Sequence, residues 1–108
     1  MIVEYIRYKI QDSERKAFEE AYEHAEGPLK QSKHCLGYEI SHCVEDQKYY
    51  TVRIEWDSVE GHEKGFRTSP EFGPFLKAVR PFVTNIEEMR HYEVIGTKRP
   101  QEHAQSEP

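Results

Sequence analysis

Residues 35–56 have the sequence CLGYEISHCVEDQKYYTVRIEW, in which two alternating runs flank a polar turn. Apolar and polar side chains alternate through Cys35–Val44 and again through Tyr49–Trp56, which is the period of a β-strand. A short polar turn, Glu45-Asp46-Gln47, separates the two runs, so together they predict an antiparallel hairpin. The alternation places five side chains of the first run on one face: Leu36, Tyr38, Ile40, His42 and Val44.

The segment before the hairpin predicts a strand followed by an amphipathic helix. Ile2–Ile10 is rich in β-branched and aromatic residues, which favour a strand. Asp12 and Ser13 then supply the side-chain chemistry of a helix N-cap. The helix continues for about four turns, with a weak point at Gly27 and Pro28. Its apolar positions follow i, i+3, i+4 spacing and are Phe18, Ala21, Tyr22, Ala25 and Leu29.

A short helix is predicted directly after the hairpin. Asp57 or Ser58 caps it, and Glu60 lies in its first turn, as in a capping box. Gly61 and Gly65 keep it short, because glycine weakens the interior of a helix. The third strand is therefore expected to pass almost immediately into a capped helix of limited length.

A second, aromatic helix and a final strand complete the pattern. Ser69 is the predicted N-cap, with Pro70 at the first helical position, and Pro81 ends the helix. Ile86–Ile95 predicts the last strand, whereas residues 97–108 are polar, contain proline and predict a disordered tail. The buried stripe of this helix is expected to consist of Phe72, Phe75, Leu76 and Val79.

The element order β-α-β-β-α-β predicts an α+β fold over residues 1–96, a ferredoxin-like split βαβ unit with a four-stranded antiparallel sheet. Helices on one side of such a sheet leave the other face open. In the first strand, apolar side chains face both ways: Ile2, Ile6 and Tyr8 on one side, Val3 and Tyr5 on the other. Because an open apolar face favours association, we expect a two-fold homodimer.

Length and composition exclude several classes of protein. The chain has 108 residues, enough for one domain, and its five Phe, seven Tyr and one Trp favour a folded core. With 15 Lys and Arg against 20 Asp and Glu, the net charge of −5 disfavours nucleic acids and anionic membranes as partners. No apolar run approaches the ~20 residues of a membrane span, and the charged N-terminus is unlike a signal peptide. Cys35 and Cys43 lie too far apart on one predicted strand to pair, so we expect a reduced, cytoplasmic protein.

Two motifs resemble those of the antibiotic biosynthesis monooxygenase domain family. Residues 50–60, YTVRIEWDSVE, form a third strand that ends in Trp, an acidic residue and Ser, and residues 66–72, FRTSPEF, are similar to the second signature of the family. The resemblance covers about residues 1–95 and implies a dimeric α/β barrel with a pocket between sheet and helices. It also implies chemistry without a metal or a bound organic cofactor. A small phenolic, quinol-type or anthrone substrate is deprotonated, and its carbanion reduces oxygen directly.

One Trp and three His residues are candidates for catalytic roles, the Trp from the resemblance and the His residues from their positions on helix and strand faces. Trp56 matches the family position at the end of the third strand, where its ring either lines the pocket or packs in the core. His62 shares a helix face with Phe66 and is either the base or a structural His; the ordinary imidazole pKa of about 6.5 suits proton abstraction. His42 and His91 lie at apolar-face positions of strands and are either base candidates or structural contacts.

A flat substrate is expected to lie against aromatic walls. Arg80, at the end of the second helix, either pairs with a phenolate or lies in solvent at the helix C-terminus. The expected walls are Trp56, Tyr38, Phe66, Phe72 and Phe75.

The sequence predicts no metal or cofactor site. The six His residues form no HExxH pattern, and the two Cys residues lack CxxC spacing. The haem-degrading branch of the family places its iron-ligating His at the position of Phe66 and an Asn on the first strand, and this chain has neither. We therefore expect a cofactor-independent monooxygenase that acts on a small aromatic ligand. A non-catalytic small-ligand-binding or stress-response barrel is the alternative, and a haem-binding or haem-degrading monooxygenase ranks last.

Overall fold

One antiparallel sheet of four strands is present in the computed structural model, which describes residues 1–97. Its strands are β1 (Ile2–Lys9), β2 (Cys35–His42), β3 (Tyr49–Trp56) and β4 (Ile86–Glu93). Over the same residues the helices are α1 (Arg15–Gln31), a π-helix (Gly61–Phe66), α2 (Phe72–Val79) and 3₁₀ segments at Asp12–Glu14 and Arg80–Asn85. The strand order β2-β3-β1-β4 confirms the predicted ferredoxin-like α+β fold.

The core lies between one face of the sheet and the helices. The even-numbered side chains of β1 and β3 face α1 and the helices that follow β3, because successive residues of a strand alternate between its two faces. Phe18 of α1 is fully buried, and its ring contacts those of Tyr8, Tyr50 and Phe82. All five predicted apolar positions of α1 are buried, which confirms the helical spacing: Phe18, Ala21, Tyr22, Ala25 and Leu29.

The start of α1 differs from the prediction. Neither Asp12 nor Ser13 caps the helix; both lie in a 3₁₀ turn, and Asp12 forms an ion pair with Arg15. The expected weak point at Pro28 does not end the helix, which continues to Gln31. Leu29, which is fully buried, anchors this last turn in the core and offsets the hydrogen bond that proline cannot make.

A β-bulge at the start of β2 removes Leu36 from the predicted face of that strand. Tyr38, Ile40 and His42 keep the predicted phase, because they pair with inward-facing residues of β3. Cys35 pairs with Trp56 and Gly37 with Glu55, so the residue between them, Leu36, is extra and points away from the core. Leu36 is accordingly 60% exposed, and Cys35 packs against the core instead. The strand also ends at His42, two residues before the predicted boundary at Val44.

The second aromatic helix begins later than its predicted cap. Ser69 is not an N-cap, because its Oγ donates a hydrogen bond to the carbonyl of Phe66 at 2.6 Å and thereby closes the preceding turn. Helix α2 starts at Phe72 and ends at Val79, and the chain then continues through Pro81 as a 3₁₀ segment.

The sheet face that points away from the helices is mixed in character rather than apolar. Val3 and the edge-to-face pair Tyr5–Tyr92 lie on it, but Arg53 forms an ion pair with Glu55 there. Because charged and aromatic side chains alternate on this face, its association with a second copy remains a prediction.

Three further expectations concern the chain as a whole. Within residues 1–97, none of the helices is both long enough and apolar enough to cross a bilayer. Cys35 and Cys43 are both free. Apart from Thr97, the predicted tail lies outside the described residues.

Candidate functional site

A cavity of about 240 Å³ lies between the sheet and the helices that follow β3. Its walls are mainly apolar, and Val83 and Met89, which are nearly half exposed, mark its opening. Five titratable side chains interrupt this apolar lining: Glu4, Tyr8, Tyr22, His62 and Arg67. The hydroxyls of Tyr8 and Tyr22 are hydrogen-bonded to each other at 2.6 Å. The principal apolar walls are Ile6, Ile54, Trp56, Phe66, Phe72 and Phe75.

The π-helix carries His62 to the inner end of this cavity. Ser58 caps the helical segment, since its Oγ accepts a hydrogen bond from the Gly61 N–H at 2.8 Å. The wide turn then closes with a hydrogen bond from the Arg67 N–H to the His62 carbonyl at 3.2 Å, spanning five residues. The predicted capping is thus confirmed for Ser58, whereas the π geometry was not predicted.

Gly61 and Gly65 allow the π-helix to pack closely against the hydrogen-bonded pair His34 and Asp57. His34 Nδ1 lies 2.8 Å from Asp57 Oδ2, and this pair contacts the glycine face of the helix. A Cβ at Gly61 would overlap the Asp57 carboxylate, and a Cβ at Gly65 would overlap the His34 ring. The two glycines are therefore required for close packing, which the prediction of a merely weakened helix did not include.

Three titratable side chains from three separate elements meet at the inner end of the cavity. Glu4 of β1 is 2% exposed, and its Oε1 accepts a hydrogen bond from Trp56 Nε1–H at 3.0 Å. His62 stacks on the Trp56 ring with centroids 4.3 Å apart, and its Nε2 lies 3.7 Å from Glu4 Oε1. His62 Nδ1 lies 2.7 Å from Nε2 of His91, which pairs with Glu4 across β1 and β4.

The protein environment shifts the pKa values of Glu4 and His62 in opposite directions. Burial raises the pKa of the Glu4 carboxyl, and the hydrogen bond from Trp56 partly opposes this rise. Burial, together with the nearby charges of Arg67 and His91, lowers the pKa of His62 to about 4. His62 is therefore a neutral imidazole at pH 7 and has a nitrogen lone pair that can accept a proton.

The same three groups are also of the types that hold divalent transition metals. Within residues 1–97, ligand atoms of Glu4, His62 and His91 lie within 4.8 Å of one another. Two of the imidazole nitrogens, however, form a hydrogen bond with each other. Because one imidazole nitrogen can donate and the other accept, this contact can pass a proton between His62, at the cavity, and the half-buried His91.

The structure brings together five of the residues singled out from the sequence. Phe66 is buried edge-on against Phe72 and Phe75, and it also contacts Trp56. A further residue singled out from the sequence, His91, does not line the cavity but contacts it through His62. The five that line the cavity directly are Trp56, His62, Phe66, Phe72 and Phe75.

Tyr38, His42 and Arg80 lie elsewhere. Tyr38 and His42 line a separate groove of about 370 Å³ between α1 and β2, together with carboxylates of α1. The His42 ring stacks on Tyr50 at 4.1 Å between centroids, and its Nε2 lies 2.8 Å from the Gln47 carbonyl. Arg80 is exposed and does not line the cavity.

Glu4 and Arg67 are site residues that sequence reasoning missed. The signal for Glu4 was available, because a carboxylate at the inward phase of β1, between Ile2 and Ile6, is unusual for a buried strand face. Arg67 gave no comparable signal in the sequence, because its place at the exposed rim of the cavity depends on the wide turn of the π-helix.

Comparisons with known proteins agree with this fold. The model of the antibiotic biosynthesis monooxygenase family matches residues 1–78. YczJ of Bacillus subtilis, an uncharacterized protein, is 26% identical over 93 residues, which are 86% of this chain and 98% of that protein.

Solved structures of low sequence identity share the fold. A Bordetella bronchiseptica protein whose name places it among the antibiotic biosynthesis monooxygenases has a TM-score of 0.73 and 21% identity, over 88% of this chain and 97% of that one. A point mutant of SnoaB, a cofactor-independent oxygenase from Streptomyces nogalater, has a TM-score of 0.71 and 12% identity, over 89% of this chain and 94% of that one.

Proposed function

The chain belongs to the antibiotic biosynthesis monooxygenase family, and from this we propose that it is a monooxygenase that oxidises a small hydroquinone-type aromatic compound without a bound organic cofactor or metal. One observation carries the proposal: a buried carboxylate and two hydrogen-bonded imidazoles lie at the inner end of an otherwise apolar cavity. Buried groups of this kind in a cleft are typical of acid–base catalysis rather than of core packing.

The cavity suits a small, flat and mostly apolar molecule. Its volume of about 240 Å³ lies below the ~300–1,000 Å³ of sites for drug-sized ligands. Phe66, Phe72 and Phe75 offer ring faces and edges for a bound aromatic ring, and Trp56 holds His62 in place by stacking. A one- or two-ring substrate fits these walls better than a long or highly polar one.

In the proposed reaction, His62 Nε2 removes a proton from the bound substrate. The imidazolium that forms lies 3.7 Å from the Glu4 carboxylate, which stabilises its charge. Its Nδ1–H then donates along the 2.7 Å contact to His91 Nε2, so that the proton can leave toward solvent. Instead of the ordinary imidazole pKa of about 6.5 that the sequence suggested, His62 has a pKa of about 4, which weakens it as a base but keeps it neutral at pH 7, with the Nε2 lone pair available.

Oxygen supplies both the oxidant and the inserted atom. The substrate anion passes electrons to O₂, a carbon–oxygen bond forms, and the resulting peroxide takes up a proton. The O–O bond then breaks: one oxygen atom remains on the substrate and the other leaves as water. For a hydroquinone the product is a hydroxyquinone, and the four electrons gained by O₂ equal the four lost by the substrate. The apolar walls exclude water from the anion and its peroxide.

Oxygen uptake with a panel of hydroquinones tests the proposal. His62→Gln removes the base, and we expect it to lower kcat by at least ~100-fold, which is the scale of general-base catalysis. The matched control is His24→Gln, an exposed residue of α1 far from any role in the cavity. Equal rates for the two variants, with ligand still bound, would favour the non-catalytic ligand-binding alternative.

Haem binding has less support than either of these functions. Nδ1 of His62 is already hydrogen-bonded to His91, and the Phe66 ring, which contacts Trp56, occupies the position where the haem-degrading branch has its iron-ligating His. A haem titration that gives no Soret shift would remove this candidate.

We also propose a homodimer formed through the open sheet face. Val3, Tyr5 and Tyr92 provide apolar and aromatic surface on that face. The interleaved charges, such as Arg53 and Glu55, would provide complementary pairs across a two-fold axis.

A further inference from the structure

Arg67 is the cation of the cavity lining in the part of the chain that the structure describes. It follows the π-helix directly, and its backbone N–H is held by the His62 carbonyl at 3.2 Å. The position of this side chain is therefore coupled to that of His62 by one turn of backbone. Its exposed guanidinium lies at the rim of the cavity rather than inside the core.

No carboxylate of residues 1–97 lies within ion-pair distance of this guanidinium. The other arginines that contact acidic groups are Arg7, Arg15 and Arg53, and none of them lines the cavity. The charge of Arg67 nevertheless acts inside the cavity: it opposes the rise that burial causes in the pKa of Glu4, and it adds to the fall that burial causes in the pKa of His62. Apolar walls focus the field of such a charge, and this raises its attraction for an anion.

We infer that Arg67 selects an anionic aromatic substrate, a hydroxylated aromatic carboxylate, for this cavity. The inference rests on the proposed function, because it names the substrate class of the same site. A guanidinium matches a carboxylate with two parallel hydrogen bonds. The buried carboxylate of Glu4 repels the same group, so a ligand is oriented with its acid group at the exposed Arg67 and its hydroxylated ring carbon at His62.

Binding of an unreactive matched pair tests this selection. The probes are 1-naphthoate and 1-naphthalenemethanol, which share a ring system and differ in charge, and the measurement is titration calorimetry on the full chain. We expect naphthoate to bind at least ~10-fold more tightly, the scale of a charge-assisted hydrogen bond, and this preference to shrink as salt is added. Arg67→Gln is expected to abolish the preference, whereas Arg80→Gln, an exposed arginine outside the cavity, retains it.

The possible outcomes separate this inference from the proposed function. Equal affinity for the two probes, no binding of naphthoate, or a preference that survives in Arg67→Gln overturns the inference. Loss of the preference in Arg80→Gln alone also overturns it. Neither probe is oxidised, so binding and turnover are measured separately. If the protein prefers naphthoate but consumes no oxygen with any hydroquinone, the anion site is supported and the monooxygenase proposal is contradicted. If the protein oxidises neutral hydroquinones rapidly but shows no preference for the anionic probe, the monooxygenase proposal is supported and the anion site is contradicted.

Discussion

Nδ1 of His62 lies 2.7 Å from Nε2 of His91, so the imidazole that lines the cavity is hydrogen-bonded to a second imidazole that reaches toward solvent. One nitrogen of this pair must donate and the other accept. In the proposed reaction His62 donates from Nδ1, which leaves Nε2 free to take the substrate proton. In this proposal the two residues therefore have different roles: His62 accepts the substrate proton and His91 carries it away.

Replacing His91 by Gln tests its role in proton removal. Gln can hydrogen-bond to His62 but cannot carry a proton, so the buried imidazolium would be discharged slowly. We expect kcat to fall by about 10- to 100-fold with little change in KM, and the solvent isotope effect on kcat to increase. The control is again His24→Gln. If His91→Gln has the same kcat as this control and an unchanged solvent isotope effect, the role of His91 in proton removal is contradicted.

The lowered pKa of His62 predicts that the folded state loses stability in acid. The unfolded chain protonates this imidazole near pH 6.5, whereas the folded protein does so only near pH 4. Between these values the unfolded state binds more protons, so the free energy of unfolding falls as the pH drops from 6.5 to 4 and is fully restored above 6.5. The raised pKa of Glu4 acts in the opposite direction, since it weakens the folded state as the pH rises above 4.5.

Urea unfolding at pH 7 and pH 4.5 measures this dependence. Wild-type protein is expected to lose up to ~3 kcal/mol more than His62→Gln between the two pH values, because the variant lacks the titrating group. Parallel losses in both proteins would show that His62 does not carry the acid sensitivity.

A double-mutant cycle tests the close packing of Gly65, in the π-helix, against the His34 ring. Gly65→Ala places a methyl group in the His34 ring, and we expect it to lower the free energy of unfolding by about 1–3 kcal/mol. In a His34→Ala background the same change should cost much less, since the ring is gone. Gly27→Ala in α1, where a Cβ would meet no atom within 4 Å, is the matched control and should be neutral or stabilising. Equal costs of Gly65→Ala in both backgrounds would remove His34 as the cause.

Sedimentation tests the proposed homodimer. If the sheet faces pair, the molecular mass will be about 25 kDa, twice the 12.8 kDa of the chain. Tyr5→Glu and Tyr92→Glu place new charges on this face and are expected to raise the dimer dissociation constant. A monomer at all accessible concentrations would contradict the assembly.

Features set by neighbouring residues were predictable from the sequence. The alternation of residues 35–56 predicted the hairpin, the spacing from Phe18 to Leu29 predicted the buried face of α1, and Ser58 predicted the helix cap. Each of these depends on side chains a few positions apart, so local periodicity and capping chemistry suffice.

Features set by contacts between distant residues were not predictable. The bulge at Leu36 depends on the register of β2 against β3, and the need for Gly65 depends on His34. The Glu4, His62 and His91 cluster joins the first strand, the π-helix and the last strand, which no spacing rule connects. Glu4 could have been predicted from the sequence, because it is a carboxylate at an inward strand position. Its contacts with His62 and His91 could not, because they depend on the tertiary structure.

The fate of labelled oxygen shows whether the protein inserts an oxygen atom from O₂ and whether His62 is needed for this step. A hydroquinone, chosen from the panel as the one that supports oxygen uptake, is incubated with the protein under ¹⁸O₂ in the presence of a metal chelator, and the product is analysed by mass spectrometry. The proposed reaction predicts one ¹⁸O atom per product molecule from wild-type protein and little labelled product from His62→Gln. Unlabelled product, equal labelling by both proteins, or labelling that is lost on chelation and restored by added metal would contradict a metal-free monooxygenase reaction based on His62.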